Sequence, residues 1–320
     1  MSSRRTFVRK SMAATAGLAS LGLMPGVYGM KSGAVSPSDR IRVALIGGRN
    51  MGWSNLETFL KFPQVECVSI CDIDDEWLYK RAADTEKAAG KKPRQLVKDW
   101  RKVIDNRDVD AVIIATPDHW HCLQAIAAME AGKDVYCEKP LANSIAECDA
   151  MVRAARKHGR VVQTGQWQRS DPHWQDAVAF IHSGKLGRIR TVKVWAYMIW
   201  KKTLPVQPDG QVPAGVDYDM WLGPARHRPF NPNRFHYNFR YFWDYAGGLM
   251  SDWGVHLLDY ALLGMKSGLP KAVYTAGGKF AYPDDAMEKP DTLLASYVYD
   301  DFTISWRSEE HTSELQSRQV

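Results

Sequence analysis

The sequence is poor in cysteine, with five in 320 residues, all in the first half. Cys67 and Cys71 stand four apart in an apolar run that reads as a strand. That puts them roughly 13 Å from one another, beyond the reach of a disulfide. No Cys-x-x-Cys pair occurs, so a zinc site of that spacing is excluded. Cys67, Cys71, Cys122, Cys137 and Cys148 are expected as free, mostly buried thiols. Excess charge is lacking too, once its location is considered. The 42 basic and 36 acidic residues give a formal +6, but Arg4, Arg5, Arg9, Lys10 and Lys31 fall in the first 34 residues, where there is no acid. Setting these five aside leaves 37 basic against 36 acidic residues. So neutral a body argues against nucleic acid or a membrane surface as partner. The apolar run from Met12 to Leu23 is too short and too rich in glycine to span a bilayer, so no membrane span is expected in the mature chain.

What the first residues do hold is Ser3-Arg4-Arg5-Thr6-Phe7-Val8-Arg9-Lys10, a twin-arginine box. The Ala/Gly-rich run and the small-residue site Ser32-Gly33-Ala34 follow it. Residues 1–34 are read as a signal peptide that exports the chain already folded, which predicts a periplasmic or cell-envelope location.

From Ile41 the pattern changes. Ile41 to Ile46 reads as a buried strand, followed by Gly47-Gly48-Arg49-Asn50-Met51-Gly52 and a helix from Trp53 to about Lys61. Strand, glycine-rich turn and helix together form a place where backbone N–H groups and a helix N-terminus can hold a pyrophosphate. Gly47, Gly48, Asn50, Met51 and Gly52 are therefore assigned to a dinucleotide. The usual pattern has a middle glycine where Arg49, or in a related spacing Asn50, stands; asparagine tolerates positive φ better than most residues. The next strand, Val65 to Cys71, runs into Asp72, twenty residues after Gly52. This is the position of the carboxylate that accepts hydrogen bonds from ribose hydroxyls and repels a 2′-phosphate, so NAD is favoured over NADP. The competing role for Asp72, Asp74 or Asp75 is to cap the helix that begins near Trp77. Helical segments at 75–89 and 97–104, a strand at 111–115, a helix at 118–132, a strand at 134–137, a helix capped by Ser144 with Glu147, and a strand at 161–164 complete the alternation. Such a series predicts an α/β fold with a doubly wound parallel sheet over residues 35–164.

Two strands of that sheet run into prolines, Thr116-Pro117 and Glu138-Lys139-Pro140. Both prolines fall just past the carboxyl ends of parallel strands, the edge where open sheets bind ligands, so Lys139 is a candidate for chemistry. After residue 164 the texture becomes that of an α+β domain on an open, mostly antiparallel sheet, assigned to 165–306. If 249–263 is helical, Asp252 and His256 lie one turn apart on one face. A carboxylate and an imidazole so placed can share a substrate hydroxyl. After Trp306 the alternation stops, and 307–320 is expected to be a non-native tail on an incomplete domain.

In this order and spacing, the glycine turn with Asp72, Thr116-Pro117-x-x-x-His121, Glu138-Lys139-Pro140 and Asp252-x-x-x-His256 resemble the Gfo/Idh/MocA family, the relatives of glucose-fructose oxidoreductase and inositol dehydrogenase. The resemblance spans roughly residues 40 to 306, and Asp217 to Ala225 looks like its secreted bacterial members. It implies a Rossmann domain binding NAD, with Thr116, Pro117, His121, Glu138 and Lys139 joining the cofactor site. It also implies a catalytic Lys139 acting with Asp252 and His256. The departures are Arg49 or Asn50 for the middle glycine and Ala246 where a third glycine is usual. Trp167, Arg169, His236, Arg240 and Trp243 are candidates to line a saccharide or cyclitol site. A homo-oligomer, dimer or tetramer, follows from the same resemblance. Two catalytic readings result: an oxidoreductase acting on a sugar or cyclitol hydroxyl carbon with a tightly bound nicotinamide, or a glycoside-cleaving enzyme that uses NAD catalytically. A non-catalytic sugar or cofactor sensor is the third.

Overall fold

The computed structural model describes residues 39–198 and 203–310. The predicted export signal and residues 311–320 of the predicted tail lie outside them. The first domain is a six-stranded parallel sheet in the order β3-β2-β1-β4-β5-β6, made of β1 (Ile41–Ile46), β2 (Val65–Cys71), β3 (Gln95–Val97), β4 (Ala111–Ile114), β5 (Asp134–Cys137) and β6 (Val162–Thr164). The strand order reverses between β1 and β4, which opens a crevice at their carboxyl ends. Side chains alternate across β1. Val43 and Leu45 pack with Leu56, Ile70 and Leu78 on one face, under α1 (Asn50–Phe59) and α2 (Asp75–Ala89). Ala44 and Ile46 pack with Val103, Ala125, Met129 and Met151 on the other, under α3 (Arg101–Ile104), α4 (Asp118–Glu130) and α5 (Ile145–His158). Both faces are covered, as a parallel sheet requires. Ser144 caps α5 as expected, accepting a bond from the Glu147 N–H at 3.3 Å. The segment predicted as helix over 97–104 is helical only at α3, Arg101–Ile104, because Val97 is held in β3 by pairing with Cys71 of β2.

After α6 (Pro172–His182) comes the second sheet, β7-β10-β9-β8, built from β7 (Thr191–Tyr197), β8 (Ala272–Gly278), β9 (Thr292–Val298) and β10 (Thr303–Glu309). It is antiparallel except where β10 meets β7. β10 corrects the predicted domain end. Arg307, Ser308 and Glu309 pair on one side with Trp195, Ala196 and Tyr197 and on the other with Leu294, Leu293 and Thr292. Polar residues on both faces of the last turn of strand hide the alternation there. Between β7 and β8 lie α7 (Tyr218–Leu222), α8 (Gly248–Asp252) and α9 (Gly254–Met265). Leu249, Met250 and Trp253, with Leu257 and Leu258, cover the inner face of this sheet around Trp306. The helix predicted unbroken over 249–263 is interrupted at Trp253, whose backbone closes α8 and opens α9. No described helix is long and apolar enough to cross a membrane.

Candidate active site

A cleft with about 1090 Å³ of space, its mouth included, follows the carboxyl edge of the parallel sheet. One wall comes from the β1–α1 turn. Gly47 has φ +88°, and a Cβ there would lie 2.7 Å from the Ala115 carbonyl oxygen. A Cβ at Gly52 would lie 1.9 Å from the Gly47 oxygen, so these two glycines are what let strand, turn and helix close on one another. Asn50 takes the positive φ that its side chain tolerates, +23°. No side chain caps α1, so its first N–H groups, beside Asn50 and Met51 of the lining, are the donors a pyrophosphate accepts from.

Asp72 stands at the end of β2, buried, its two oxygens accepting from the N–H groups of Gly48 (2.7 Å) and Asp74 (3.1 Å). Burial pushes its carboxyl up to about 6 despite those donors. The capping role falls to Asp74, which accepts from the Glu76 N–H at 3.1 Å and caps α2, leaving Asp72 for a ribose. Uncapped helix, close-packed glycine turn and buried carboxylate fit a bound NAD.

The other part of the cleft holds the charged groups. Lys139 extends from the turn after β5, across the cis Lys139–Pro140 bond, and its Nζ donates to the Asp252 carbonyl at 3.1 Å and to the Asp252 carboxylate. The other oxygen of that carboxylate accepts from Arg240. Burial raises the pKa of Asp252, but Arg240 and Lys139 outweigh it, and the net shift is downward. Glu138, held above its ordinary value by burial, accepts from Asn55 Nδ2 at 2.8 Å and from the Lys139 N–H at 3.1 Å. It thereby fixes the lysine turn to α1.

His256 lies one turn past the break at Trp253, with its ring edge-on to Trp167 and Trp253 at 6.2 and 6.0 Å. Its Nδ1 is buried with no hydrogen-bond partner among the described residues. Burial and the Lys139 charge push its pKa down to about 4, so it is neutral at neutral pH.

Of the remaining candidates, Thr116 and Pro117 line the cleft with Lys139. His121 takes a different place from the one predicted. It is buried, its ring nitrogens at 2.7 and 2.8 Å from the carbonyl oxygens of Pro140 and Thr116, so it braces the ends of β4 and β5 against each other. Arg240 serves Asp252. His236 pairs with Asp74 at 2.9 Å, beside Asp72 rather than beside Lys139. His256, Trp167, Arg169 and Trp243 are not among the residues lining the cleft; His256 stands one helical turn behind Asp252, which is. Arg169 is a two-pronged partner of Asp259 at 2.5 and 2.6 Å, and Trp243 covers the Lys289 ammonium at 3.2 Å. Exposed aromatic and planar side chains in a loop-rich stretch carry no signal of which way they face.

Sequence reasoning passed over Asp118, the first residue of α4 and part of the lining. Fully buried and facing the Asp252 charge, it has its carboxyl pushed up to about 8, and so keeps its proton at neutral pH. Its signal was its position directly after Pro117, at the edge where ligands bind. Also unforeseen was the tie between domains. His119 Nε2 and Trp120 Nε1 both reach the Trp221 carbonyl at 3.0 Å, and the Asp217 N–H donates to the Ile73 oxygen at 2.9 Å. The loop carrying Met220, Trp221 and His236 is thereby held over the cleft.

Comparison with known proteins agrees with this geometry. Residues 41–166 match the model of the Gfo/Idh/MocA oxidoreductase family's NAD-binding Rossmann fold, and residues 174–287 that of its C-terminal alpha/beta domain. A glycosyl hydrolase family 109 protein of Shewanella baltica is 32% identical over 169 residues, 48% of this chain and 37% of the relative. A 4-carboxy-2-hydroxymuconate-6-semialdehyde dehydrogenase of a Sphingobium species is 32% identical over 181 residues, 57% of this chain and 55% of the relative. The chain thus spans roughly half or less of these relatives' length. The solved levoglucosan dehydrogenase in complex with NADH shares the fold, with a TM-score of 0.64 at 24% identity over 86% of this chain and 68% of that one. With both of its domain models matched in order across most of the described residues, the chain belongs to the Gfo/Idh/MocA oxidoreductase family.

Proposed function

We propose that this protein is an NAD-dependent oxidoreductase that moves a hydride between a hydroxyl-bearing carbon of a saccharide or cyclitol and a tightly held nicotinamide dinucleotide. The observation that carries the reading is that Lys139, from the parallel sheet, and Asp252, from the second domain, meet on the cleft whose wall is the glycine turn and Asp72. NAD bound there supplies the hydride acceptor and donor. The Lys139 ammonium, oriented by the carbonyl and carboxylate of Asp252, lowers the pKa of a substrate hydroxyl beside it. Arg240 keeps Asp252 anionic, so the lysine's partner does not take the proton. His256, neutral above about pH 4, is the proton acceptor.

The loop tied down by His119, Trp120 and Ile73 favours a dinucleotide that stays bound through the cycle. Retention suits the periplasmic location we propose from the twin-arginine sequence, where exchange with a free pool is poor. The second reading, glycoside cleavage with NAD used and restored in each turnover, is favoured by the family 109 relatives and by Asp118. After transient oxidation at C3, loss of the C2 proton expels the glycosidic oxygen from C1, and a carboxyl that holds its proton at neutral pH can supply the one that oxygen needs. In solution we expect a dimer or tetramer paired through the outer face of the second sheet, where Trp195, Tyr274 and Leu294 are exposed.

The test is mass spectrometry of the gently denatured protein, which should release NAD or NADH, followed by trials of free sugars, cyclitols and aryl glycosides. Nicotinamide absorbance that changes with free polyols supports net oxidoreduction; cleaved glycoside without accumulated NADH supports the second reading. Turnover of an identified substrate left intact by Lys139→Ala refutes the catalytic assignment.

A further inference from the structure

Arg49 occupies the place of the absent middle glycine, and its surroundings give it a task of its own. Its guanidinium carbon lies 4.7 Å from the centroid of the Trp77 ring, in the first turn of α2. Arg81, farther along the same helix, packs on that ring at 5.0 Å and donates from Nε to the Gly48 carbonyl at 2.7 Å. The indole is thereby fixed against the glycine turn. Arg49 lines the cleft and Trp77 does not, so it is the guanidinium, with the indole beside it, that borders the open space. Asp72, Asp74 and Glu76 act on Arg49 through space, and half-burial lowers its pKa. The bordering residues are Asp72 and Ile73, at the end of β2, which is the adenosine side of a dinucleotide in a sheet of this order.

We propose that the Arg49 guanidinium, backed by Trp77, is the stacking platform for the adenine ring of the bound dinucleotide. A guanidinium is planar, weakly hydrated and delocalised, and it stacks on flat π-systems. With one face on an indole, the other face is the surface a purine can cover. Such a platform also answers the lost middle glycine. The close backbone approach to the pyrophosphate that a glycine permits is replaced by a grip on the base.

The inference rests on the reading of this cleft as a dinucleotide site, and calorimetric titration separates the two. ADP-ribose, adenosine monophosphate and nicotinamide mononucleotide are titrated into the parent, Arg49→Leu and Arg49→Lys. Stacking predicts about a tenfold rise in Kd for the two adenine ligands in Arg49→Leu. A clear rise is also expected in Arg49→Lys, which keeps the charge but loses the plane. Nicotinamide mononucleotide should be unaffected, which also shows that the variant is folded. Trp77→Leu should weaken the same two ligands. Equal weakening of all three ligands, most marked at low salt, identifies a phosphate contact and overturns the proposal, as do unchanged adenine affinities. A parent that binds no ADP-ribose and from which mass spectrometry releases no dinucleotide overturns the dinucleotide reading and this inference with it; parent binding that Arg49→Leu does not alter overturns this inference alone.

Discussion

Asp252→Asn keeps the shape of the side chain and removes its charge, leaving Lys139 and Arg240 facing each other with no anion between them. The side chains of Lys139, Asp252 and Arg240 are 15%, 12% and 20% exposed, so the pair of cations is poorly solvated. Breaking a buried ion pair from one side costs about 3–5 kcal/mol, and partial access to water points to the lower end, about 3 kcal/mol. For a domain of this size that is roughly 6–12 °C in Tm. Urea unfolding at pH 7 would compare the parent, Asp252→Asn, Arg240→Gln and the double variant. The double variant should lose less than the sum of the singles, because removing Arg240 relieves part of the repulsion that Asp252→Asn creates. The pH dependence is fixed in sign. The folded pKa of Asp252 is lowered, so its contribution is present above the ordinary carboxylate value, near 3.9, and is lost as pH falls through the lower folded one. The gap between parent and Asp252→Asn should therefore close in acid. A single variant within about 0.5 kcal/mol of the parent at pH 7, or strict additivity in the double, would refute the coupling.

Asp118→Asn should do the opposite. Its folded pKa is raised to about 8, so between the unfolded value and that one the folded state holds the extra proton, and stability falls as pH rises, by at most about 1.4 kcal/mol per unit. The variant should be more stable than the parent at pH 7 and equal to it below pH 4, as read by urea unfolding; identical slopes would contradict the shift. Gly52→Ala forces a Cβ to 1.9 Å from the Gly47 oxygen, so it should cost several kcal/mol and abolish NADH binding. Gly90→Ala, at φ +68° with nothing within 4 Å, should cost only about 1–2 kcal/mol in thermal unfolding and leave binding intact. Arg169→Gln, losing a pair whose arginine is 50% exposed, should change stability by less than about 1 kcal/mol and leave KM for an identified substrate within twofold. Arg240→Gln should lower kcat.

The parallel sheet was legible because β1, β2, β4 and β5 lie in largely apolar runs of four to seven residues that alternate with helical segments. The Lys139 turn was legible because a proline past a strand marks the ligand edge. β3 was not, since three residues on an edge strand carry no period and take their conformation from the β2 backbone. The break at Trp253 was hidden because α8 and α9 keep a helical apolar stripe across it, with Leu249, Met250, Trp253, Leu257 and Leu258 all facing the second sheet. Arg240 was assigned to a saccharide site, and the structure gives it the Asp252 carboxylate as a partner that the sequence reading had not named. A sequence shows that a cation is available, not which carboxylate, 12 residues away along the chain, the fold will bring to it. The place of His121 was hidden in the same way: its ring nitrogens are taken up by the backbone carbonyls of Thr116 and Pro140, contacts that exist only once the strands are in place.

Three aspartates border this one cleft, and their protonation is decided by what stands opposite each. Asp72 meets two backbone N–H groups, which hold a carboxylate but do not fully offset burial, and it titrates near 6. Asp252 meets two full cations and stays ionised below the ordinary range. Asp118 is equally buried and bonds to no cation; burial first and the Asp252 charge second outweigh the more distant pull of Lys139 and Arg240, so it keeps its proton to about 8. Groups whose surroundings drive their pKa values apart are the ones that divide acid and anion roles between them. At pH 7 Asp252 can hold a cation but give no proton, and Asp118 can give a proton but hold no cation. That is why one substitution, aspartate to asparagine, removes a charge at 252 and almost nothing at 118, and why its effect on stability should change sign between two residues lining the same cleft.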